Sequence, residues 1–260
     1  MTRLRTRTAL VVAAALALSG CAGSGAGSSG TAQSGETGTM TVLAASSLTE
    51  AFTALAKEFE AQHPHVKVKL AFDSSATLAE QVNQGAPADV LATADEDTMQ
   101  SVVDGDGTDG DPQDFATNHL VLAVPKDNPA GIQKFSDLEK PGVKYVVCVD
   151  TAPCGKVAAA LLKQDKITAA PASTEIDVKS VLAKVTEGEA DAGIVYSTDA
   201  VAAGDAVKTI AIPGTEQQTT TYPIATLDQS KQSALAQQFV DLVLSSQGQQ
   251  VLHDAGFGAP

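Results

Sequence analysis

The chain of 260 residues has no tryptophan, three cysteines and four histidines, and 31 aspartates and glutamates outnumber its 17 lysines and arginines. The formal net charge of −14 argues against a protein that binds nucleic acid through basic patches, because this charge repels a phosphate backbone. No apolar run reaches the roughly 18–20 residues of a membrane span. With 43% hydrophobic and 18% charged residues, the composition is that of a globular domain.

Residue patterns that would support catalysis are also scarce. No Gly-x-Ser-x-Gly elbow opens a helix, and the histidines, cysteines and carboxylates lack the spacing of a zinc site. The acidic segment 104–111 resembles a calcium loop, but it lacks glycine at the sixth position and glutamate at the twelfth. We interpret it as a solvated loop. We therefore expect a protein that is not an enzyme and needs no cofactor.

Residues 1–20 have the pattern of a secretory signal peptide, with three arginines before an uncharged stretch from Ala9 to Leu18. The following Leu-Ser-Gly-Cys resembles a bacterial lipobox, which implies cleavage before Cys21 and lipid on its thiol. An ordinary signal peptide with an incidental cysteine is the alternative. Residues 21–39 are rich in Gly, Ser, Ala and Thr, a composition typical of a flexible tether. We expect an exported protein, lipid-anchored to the outer face of the cytoplasmic membrane.

The other two cysteines, Cys148 and Cys154, lie six residues apart in a chain that we expect to be exported. An oxidising compartment favours a disulfide between them. Free thiols, or a metal site that takes its other ligands from elsewhere, are the alternatives.

From Met40 onward, predicted strands alternate with predicted helices. Met40–Ala44 is a buried strand, and Leu48–Gln62 carries the apolar stripe of an amphipathic helix, with Ser47 and Glu50 as a capping box at its start. Further strands are predicted at Val66–Phe72, Ala88–Thr93, His119–Val124, Lys144–Val149, Ala192–Tyr196 and Tyr222–Leu227, and further helices at Thr77–Gln84, Gly155–Gln164, Val178–Thr186 and Ser230–Leu244. This alternation predicts an α/β fold with mainly parallel sheets flanked by helices, which bind ligands beyond the carboxyl ends of strands.

Small or hydroxyl residues occupy four junctions between a predicted strand and the next helix. They are Ser46-Ser47, Ser74-Ser75, Cys154-Gly155 and the segment 173–178. A helix N-terminus has unpaired N–H groups and the positive end of the helix dipole, so it accepts an anion without a cationic side chain. Alternatively, each serine only caps its own helix.

Four stretches together resemble the molybdate-binding family of bacterial ABC importers, which has the two-lobed type II periplasmic-binding-protein fold. They are Ala44–Thr49, Ser74–Ala79, Gly85–Val90 and Gly193–Ala200. The resemblance implies a ligand cleft between two lobes. Lobe 1 would comprise residues 40–118 plus 214–260, and lobe 2 would comprise residues 119–213.

The resemblance also implies the ligand and its contacts. Molybdate or tungstate would be bound as an intact oxyanion, with no protein ligand on the metal itself. Ser47 and Ser75 would donate through hydroxyl and amide groups, Cys154 and Val178 through backbone N–H groups, and Tyr196 through its phenol. Ser46 and Ser74 are the neighbouring candidates. The implied partner is an ABC permease with its cytoplasmic ATPase, served by a monomeric binding protein.

Two alternative functions remain at this stage. The same fold could bind another oxyanion, such as sulfate or phosphate, or an organic solute. Asp73, just before Ser74, favours a protonated ligand if its carboxylate faces the cleft, but we expect it to point toward the start of its own helix. An enzyme or a sensor that reuses the fold would need a catalytic cluster, a spanning helix or a DNA-binding segment, and we find none of these in the sequence.

Overall fold

The computed structural model describes residues 37–260. The predicted signal peptide, the predicted lipidation site Cys21 and most of the predicted tether lie outside these residues. The described chain contains ten strands: β1 (Gly38–Ala45), β2 (Val66–Asp73), β3 (Val90–Ala92), β4 (Gln113–Asn118), β5 (Leu120–Pro125), β6 (Tyr145–Cys148), β7 (Ser173–Glu175), β8 (Ala192–Tyr196), β9 (Val207–Ile210) and β10 (Thr220–Thr226).

The described residues also form eight α-helices: α1 (Thr49–Gln62), α2 (Ser75–Asn83), α3 (Glu96–Val103), α4 (Pro153–Gln164), α5 (Val178–Thr186), α6 (Ser197–Ala203), α7 (Ser233–Leu244) and α8 (Ser246–Asp254). Short 3-10 helices occupy Ser46–Leu48, Phe135–Glu139, Gly204–Ala206 and Thr215–Gln217. Between residues 37 and 260, no helix combines the length and the apolar character needed to cross a membrane.

The strands form two five-stranded sheets. Sheet 1 has the order β2-β1-β3-β10-β4 and sheet 2 has the order β7-β6-β8-β5-β9. We call the elements packed on sheet 1 (β1–β4, β10, α1–α3, α7 and α8) the sheet-1 half, and those packed on sheet 2 (β5–β9 and α4–α6) the sheet-2 half. The expected α/β class, with two sheets flanked by helices, is confirmed.

Strand direction differs in part from the expectation of mainly parallel sheets. Each sheet has two parallel and two antiparallel pairings. The parallel pairs arise where a helix connects successive strands, as in β1-α1-β2. The antiparallel pairs involve β5 and β10, the strands that follow the two passages between the sheets. Only parallel neighbours require a helical crossover between them. The strands β5 and β10 can therefore join their sheets directly after each passage.

The chain passes between the sheets twice. His119 alone separates β4 of sheet 1 from β5 of sheet 2, and residues 211–219 connect β9 back to β10. The first passage is therefore a single residue long, and it brings buried Asn118 to the junction of the two halves.

Apolar packing fixes the helices on each sheet. In the sheet-1 half, Phe52 and Phe59 of α1 both contact the ring of Phe239 in α7, in edge-on arrangements that aromatic rings favour. In the sheet-2 half, α5 lies so close to β8 that a Cβ on Gly193 would come within 3 Å of Val185 and Val181. Glycine at this position lets the helix approach the strand.

Several local predictions need correction. Strand β1 begins at Gly38, so the end of the predicted tether is already paired with β2. The elements β4, β7, β9, α3, α6 and α8 were not predicted. The capping box was wrong, because a 3-10 turn precedes α1 and no side chain caps that turn.

Candidate functional site

One small cavity brings together all seven residues predicted to bind a ligand. Its lining consists of Ala45, Ser46, Ser47, Asp73, Ser74, Ser75, Ala94, Pro153, Cys154, Asp177, Val178 and Tyr196. The cavity volume is only about 10 Å³, room for a single water-sized sphere and far below the roughly 300–1,000 Å³ of pockets that hold organic ligands. A space this small excludes an organic solute in the arrangement seen here.

Four helix beginnings from both halves meet at this cavity. The sheet-1 half contributes the 3-10 turn before α1 and the start of α2, and the sheet-2 half contributes the starts of α4 and α5. The first N–H groups of a helix have no carbonyl partner within it. Neither Ser74 before α2 nor Ala152 before α4 caps its helix with a side chain. Backbone donors and positive dipole ends therefore concentrate around one small space.

The two central serines do not cap their helices. The hydroxyl of Ser47 lies 2.9 Å from the hydroxyl of Tyr222 in β10, and the hydroxyl of Ser75 accepts a 2.9 Å hydrogen bond from the backbone N–H of Ala94. Glu50, the expected partner of Ser47 in a capping box, binds Lys179 instead. The alternative that these serines serve only as caps is therefore wrong.

Tyr196 contributes a phenol without a partner. Its side chain is 1% exposed, and within residues 37–260 its hydroxyl makes no hydrogen bond of normal geometry, although the hydroxyls of Thr220 and Tyr222 lie close by. Burial raises the pKa of Tyr196 well above its ordinary value, and the nearby Tyr222 adds to this rise. The hydroxyl therefore stays protonated and can donate. A buried hydroxyl without a partner costs free energy, which a ligand in the cavity would recover.

Two carboxylates also line the cavity, and both already accept hydrogen bonds at helix starts. Asp73 accepts from the N–H of Ser74 at 2.7 Å, as expected for a side chain turned toward its own helix. Asp177 caps α5 by accepting from the N–H of Ser180 at 2.9 Å. These bonds to backbone donors offset part of the negative charge that the two side chains bring to the cavity.

No lysine, arginine or histidine is among the residues that line the cavity. The closest lysines in sequence, Lys156 and Lys179, are held by carboxylates: Lys156 lies 2.9 Å from Asp95 and Lys179 lies 2.8 Å from Glu50. In the part of the chain that the structure describes, no group of three or more His, Cys, Asp or Glu side chains could hold a metal ion. The donors that line the cavity are therefore uncharged N–H and O–H groups, and they lie beside the carboxylates of Asp73 and Asp177.

The predicted disulfide is present and connects Cys148 at the end of β6 with Cys154 in the first turn of α4. The free-thiol and metal-site alternatives do not apply to these bonded sulfurs. Gly155 follows Cys154, and a Cβ there would overlap the carbonyl oxygen of Val149. The disulfide and this close approach hold the start of α4 against the strand end beside the cavity.

The sequence did not reveal three residues that support the site. Tyr222 bonds to Ser47, and the N–H of Ala94 donates to Ser75. Asn118 bonds to Tyr222 and so reaches Ser47 through one neighbour. Asn118 had a positional signal, because it directly precedes the passage between the sheets. Tyr222 and Ala94 had none, since their partners lie 175 and 19 residues away along the chain.

The chain is similar to known proteins over most of its length. Residues 40–258 match the family of bacterial extracellular solute-binding proteins. The chain is 41% identical over 219 residues to the molybdate-binding protein ModA of Mycobacterium tuberculosis, with 84% of each chain covered.

Solved structures agree with the fold. A periplasmic molybdate-binding protein of Azotobacter vinelandii matches with a TM-score of 0.74 and 20% identity, over 85% of this chain and 99% of that one. The sulfate-binding protein SubI of Mycobacterium tuberculosis matches with a TM-score of 0.75 and 20% identity, over 85% and 86%. The chain therefore belongs to the bacterial extracellular solute-binding proteins, which are not enzymes.

Proposed function

We propose that the protein captures molybdate, and also tungstate, outside the cytoplasm and delivers it to an ABC permease that is driven by a cytoplasmic ATPase. The relatives named molybdate-binding protein, one of them 41% identical over most of the chain, support the ligand class. The cavity residues Ser47, Ser75, Cys154, Val178 and Tyr196, with Ser46 and Ser74 beside them, would hold the oxyanion.

One observation carries this proposal: the cavity combines an unpartnered buried phenol, Tyr196, with helix starts and serines, and has no cationic side chain. A doubly negative oxyanion needs several donors at once. Hydrogen bonds to a charged group contribute about 1.5–3 kcal/mol each. Five to seven of them would offset the association cost and leave a dissociation constant near or below micromolar.

The acidic surface does not prevent capture. The net charge of −14 slows the approach of an anion, but salt screens this repulsion beyond about 8–10 Å. At the cavity, the N–H groups and dipole ends of the helix starts attract an anion, against the negative charges of Asp73 and Asp177, which already accept hydrogen bonds. Selectivity between oxyanions then follows from the fit of the cavity and from protonation, because a protonated anion needs an acceptor for its own O–H.

Capture and delivery would use the two halves. They contact the ligand from opposite sides, and closing around it creates a shape that a permease can distinguish from the open form. The protein would act as a monomer, and lipid on Cys21 would keep it at the outer face of the membrane next to its permease.

A second candidate is an importer component for sulfate or another oxyanion, since the sulfate-binding SubI matches the fold as closely as the molybdate-binding structure does. Titration calorimetry with molybdate, tungstate, sulfate and phosphate separates the candidates. We expect tight binding of molybdate and tungstate and weak binding of the other two. Micromolar binding of sulfate or phosphate without heat from molybdate would overturn the proposal.

A further inference from the structure

The side-chain amide of Asn118 has a fixed orientation at the passage between the two sheets. Asn118 is 2% exposed, and its Oδ1 accepts hydrogen bonds from the backbone N–H of His119 and from the hydroxyl of Ser197, both at 2.9 Å. Because a backbone N–H can only donate, Oδ1 must be the atom that faces it. The Nδ2 group then faces Thr198 Oγ1 at 2.9 Å and the hydroxyl of Tyr222 at 3.4 Å.

This orientation determines where the proton of Tyr222 lies. The Tyr222 hydroxyl accepts from Asn118 Nδ2, and it has one proton to donate. On the other side lies Ser47 Oγ at 2.9 Å, while the nearby Tyr196 hydroxyl makes no hydrogen bond of normal geometry with any described residue. Burial raises the pKa of Tyr222 well above its ordinary value, so the proton is retained. Tyr222 therefore donates to Ser47.

Ser47 consequently has its own hydroxyl hydrogen free for the cavity. A serine has one O–H to donate, and the oxygen of Ser47 already accepts from Tyr222. Ser75 is in the same state, because its oxygen accepts from the N–H of Ala94. The two serines lie at different helix starts, and they accept from different donors, a tyrosine hydroxyl and a backbone N–H. In both cases the serine's own hydroxyl hydrogen is left to donate into the cavity.

We propose that Asn118 and Tyr222 are positioning residues that set the direction of the Ser47 hydroxyl, so that Ser47 donates to a fully ionised oxyanion and does not accept from a protonated one. This inference rests on the proposed function. Neither residue lines the cavity. They act through Ser47, in a relay that runs from Asn118 to Tyr222 and then to Ser47.

A double-mutant cycle tests the relay. Tyr222→Phe removes the donor to Ser47, so that the Ser47 hydroxyl can rotate and its oxygen can accept. We expect molybdate affinity to fall about fivefold or more, while the ratio of molybdate to hydrogen phosphate affinity falls by a similar factor. In a Ser47→Ala background, Tyr222→Phe should change molybdate affinity less than twofold, because residue 47 then has no hydroxyl for Tyr222 to orient.

Two further variants keep the test decisive. Tyr145→Phe is the matched control, because Tyr145 is a buried tyrosine of β6 whose hydroxyl donates to the carbonyl of Ala169, away from the cavity. It should leave both affinities unchanged.

Asn118→Asp reverses the relay, since a carboxylate accepts the Tyr222 proton and leaves Tyr222 to accept from Ser47. Asn118→Asp also adds a negative charge, which changes affinity whether or not Ser47 is present. Comparing the effect of Asn118→Asp in the wild-type and Ser47→Ala backgrounds therefore removes the contribution of that charge.

The outcomes separate the two proposals. A wild-type protein that binds no molybdate overturns the proposed function. A wild-type protein that binds molybdate, with additive effects of Tyr222→Phe and Ser47→Ala or an unchanged ratio of molybdate to phosphate affinity, overturns the relay alone. If Tyr222→Phe does not fold, the Asn118→Asp cycle decides by the same criteria.

Discussion

The ammonium group of Lys179 in α5 lies 2.8 Å from both carboxylate oxygens of Glu50 in α1, and so joins the sheet-2 half to the sheet-1 half beside the cavity. Lys156 of α4 makes a second connection of this kind to Asp95, which follows the cavity residue Ala94. Both lysines follow cavity-lining residues, Val178 and Cys154, by one or two positions. Ion pairs thus join the same segments that would surround a ligand.

Removing one of these connections should speed ligand release. In Glu50→Gln, the two halves lose an ion pair whose glutamate is half exposed, so we expect the dissociation rate to rise about two- to fivefold. Stopped-flow measurement of release, at low and high salt, would show this. Glu60→Gln is the control, because the pair of Glu60 with Lys67 lies within the sheet-1 half. Equal release rates for Glu50→Gln and wild type would contradict a closing role.

Ser47→Ala and Ser75→Ala should each lower molybdate affinity at least tenfold. Each also removes the acceptor of a buried donor, so we expect the apo protein to lose about 1–3 kcal/mol of stability as well. Ser245→Ala is a contrasting control, because Ser245 does cap α8 by accepting from the N–H of Gly248. That variant should lose about 1 kcal/mol of stability and keep its affinity. Calorimetry and thermal unfolding of all three variants check both expectations.

Tyr196→Phe should weaken molybdate binding without lowering the stability of the apo protein. The hydroxyl of Tyr196 has no partner in the described part of the chain, so removing it relieves a desolvation cost and should leave the apo protein equally or more stable. The same change should lower molybdate affinity about 10- to 100-fold, the value of one hydrogen bond to a charged ligand. An unchanged affinity, or a large loss of apo stability, would show that the phenol is only a core residue.

The buried carboxylate of Asp199 should make apo stability depend on pH. Burial raises the pKa of Asp199 from 3.8 to about 6, against the attraction of Lys179, whose Nζ lies 3.1 Å away. Between about pH 4 and pH 6, the folded state holds a proton that the unfolded state has released. The free energy of unfolding therefore falls as pH rises through this range, by about 2–3 kcal/mol for two pKa units.

Asp199→Asn removes this group. Urea unfolding at pH 4.5 and pH 7.5 should show a smaller decline in stability with rising pH for Asp199→Asn than for the wild type. If the two proteins show the same dependence on pH, Asp199 does not titrate as its burial implies.

The part of the site that could be predicted from sequence is the part with a local signal. Ser47 and Ser75 stand where a strand gives way to a helix, and such junctions are recognisable from apolar patterns and hydroxyl residues. Tyr222 lies inside β10, where a buried polar residue has no signature of its own, and Asn118 ends β4, where its position before the passage marks the residue but not its partners. Their meaning depends on partners 79 to 175 residues away, which only the fold brings together.

The absence of a local signal also explains why α6, β7 and β9 were not predicted. Helix α6 begins at Ser197 directly after β8, without a turn that would signal a boundary. Strands β7 and β9 lie at the edges of sheet 2, and most of their residues are not buried, so they lack the apolar runs that identify a strand. Helix α3 did have a local signal, because Asp95 caps it by accepting from the N–H of Thr98.

The central claim is that an oxyanion is held between the two halves by uncharged donors. A crystal grown with tungstate and measured for the anomalous scattering of tungsten tests it most directly. We expect one strong peak with its oxygens within hydrogen-bonding distance of Ser47, Ser75 and Tyr196, and no lysine or arginine in contact. A cavity without a peak, or an anion held by Lys156 or Lys179, would contradict the account.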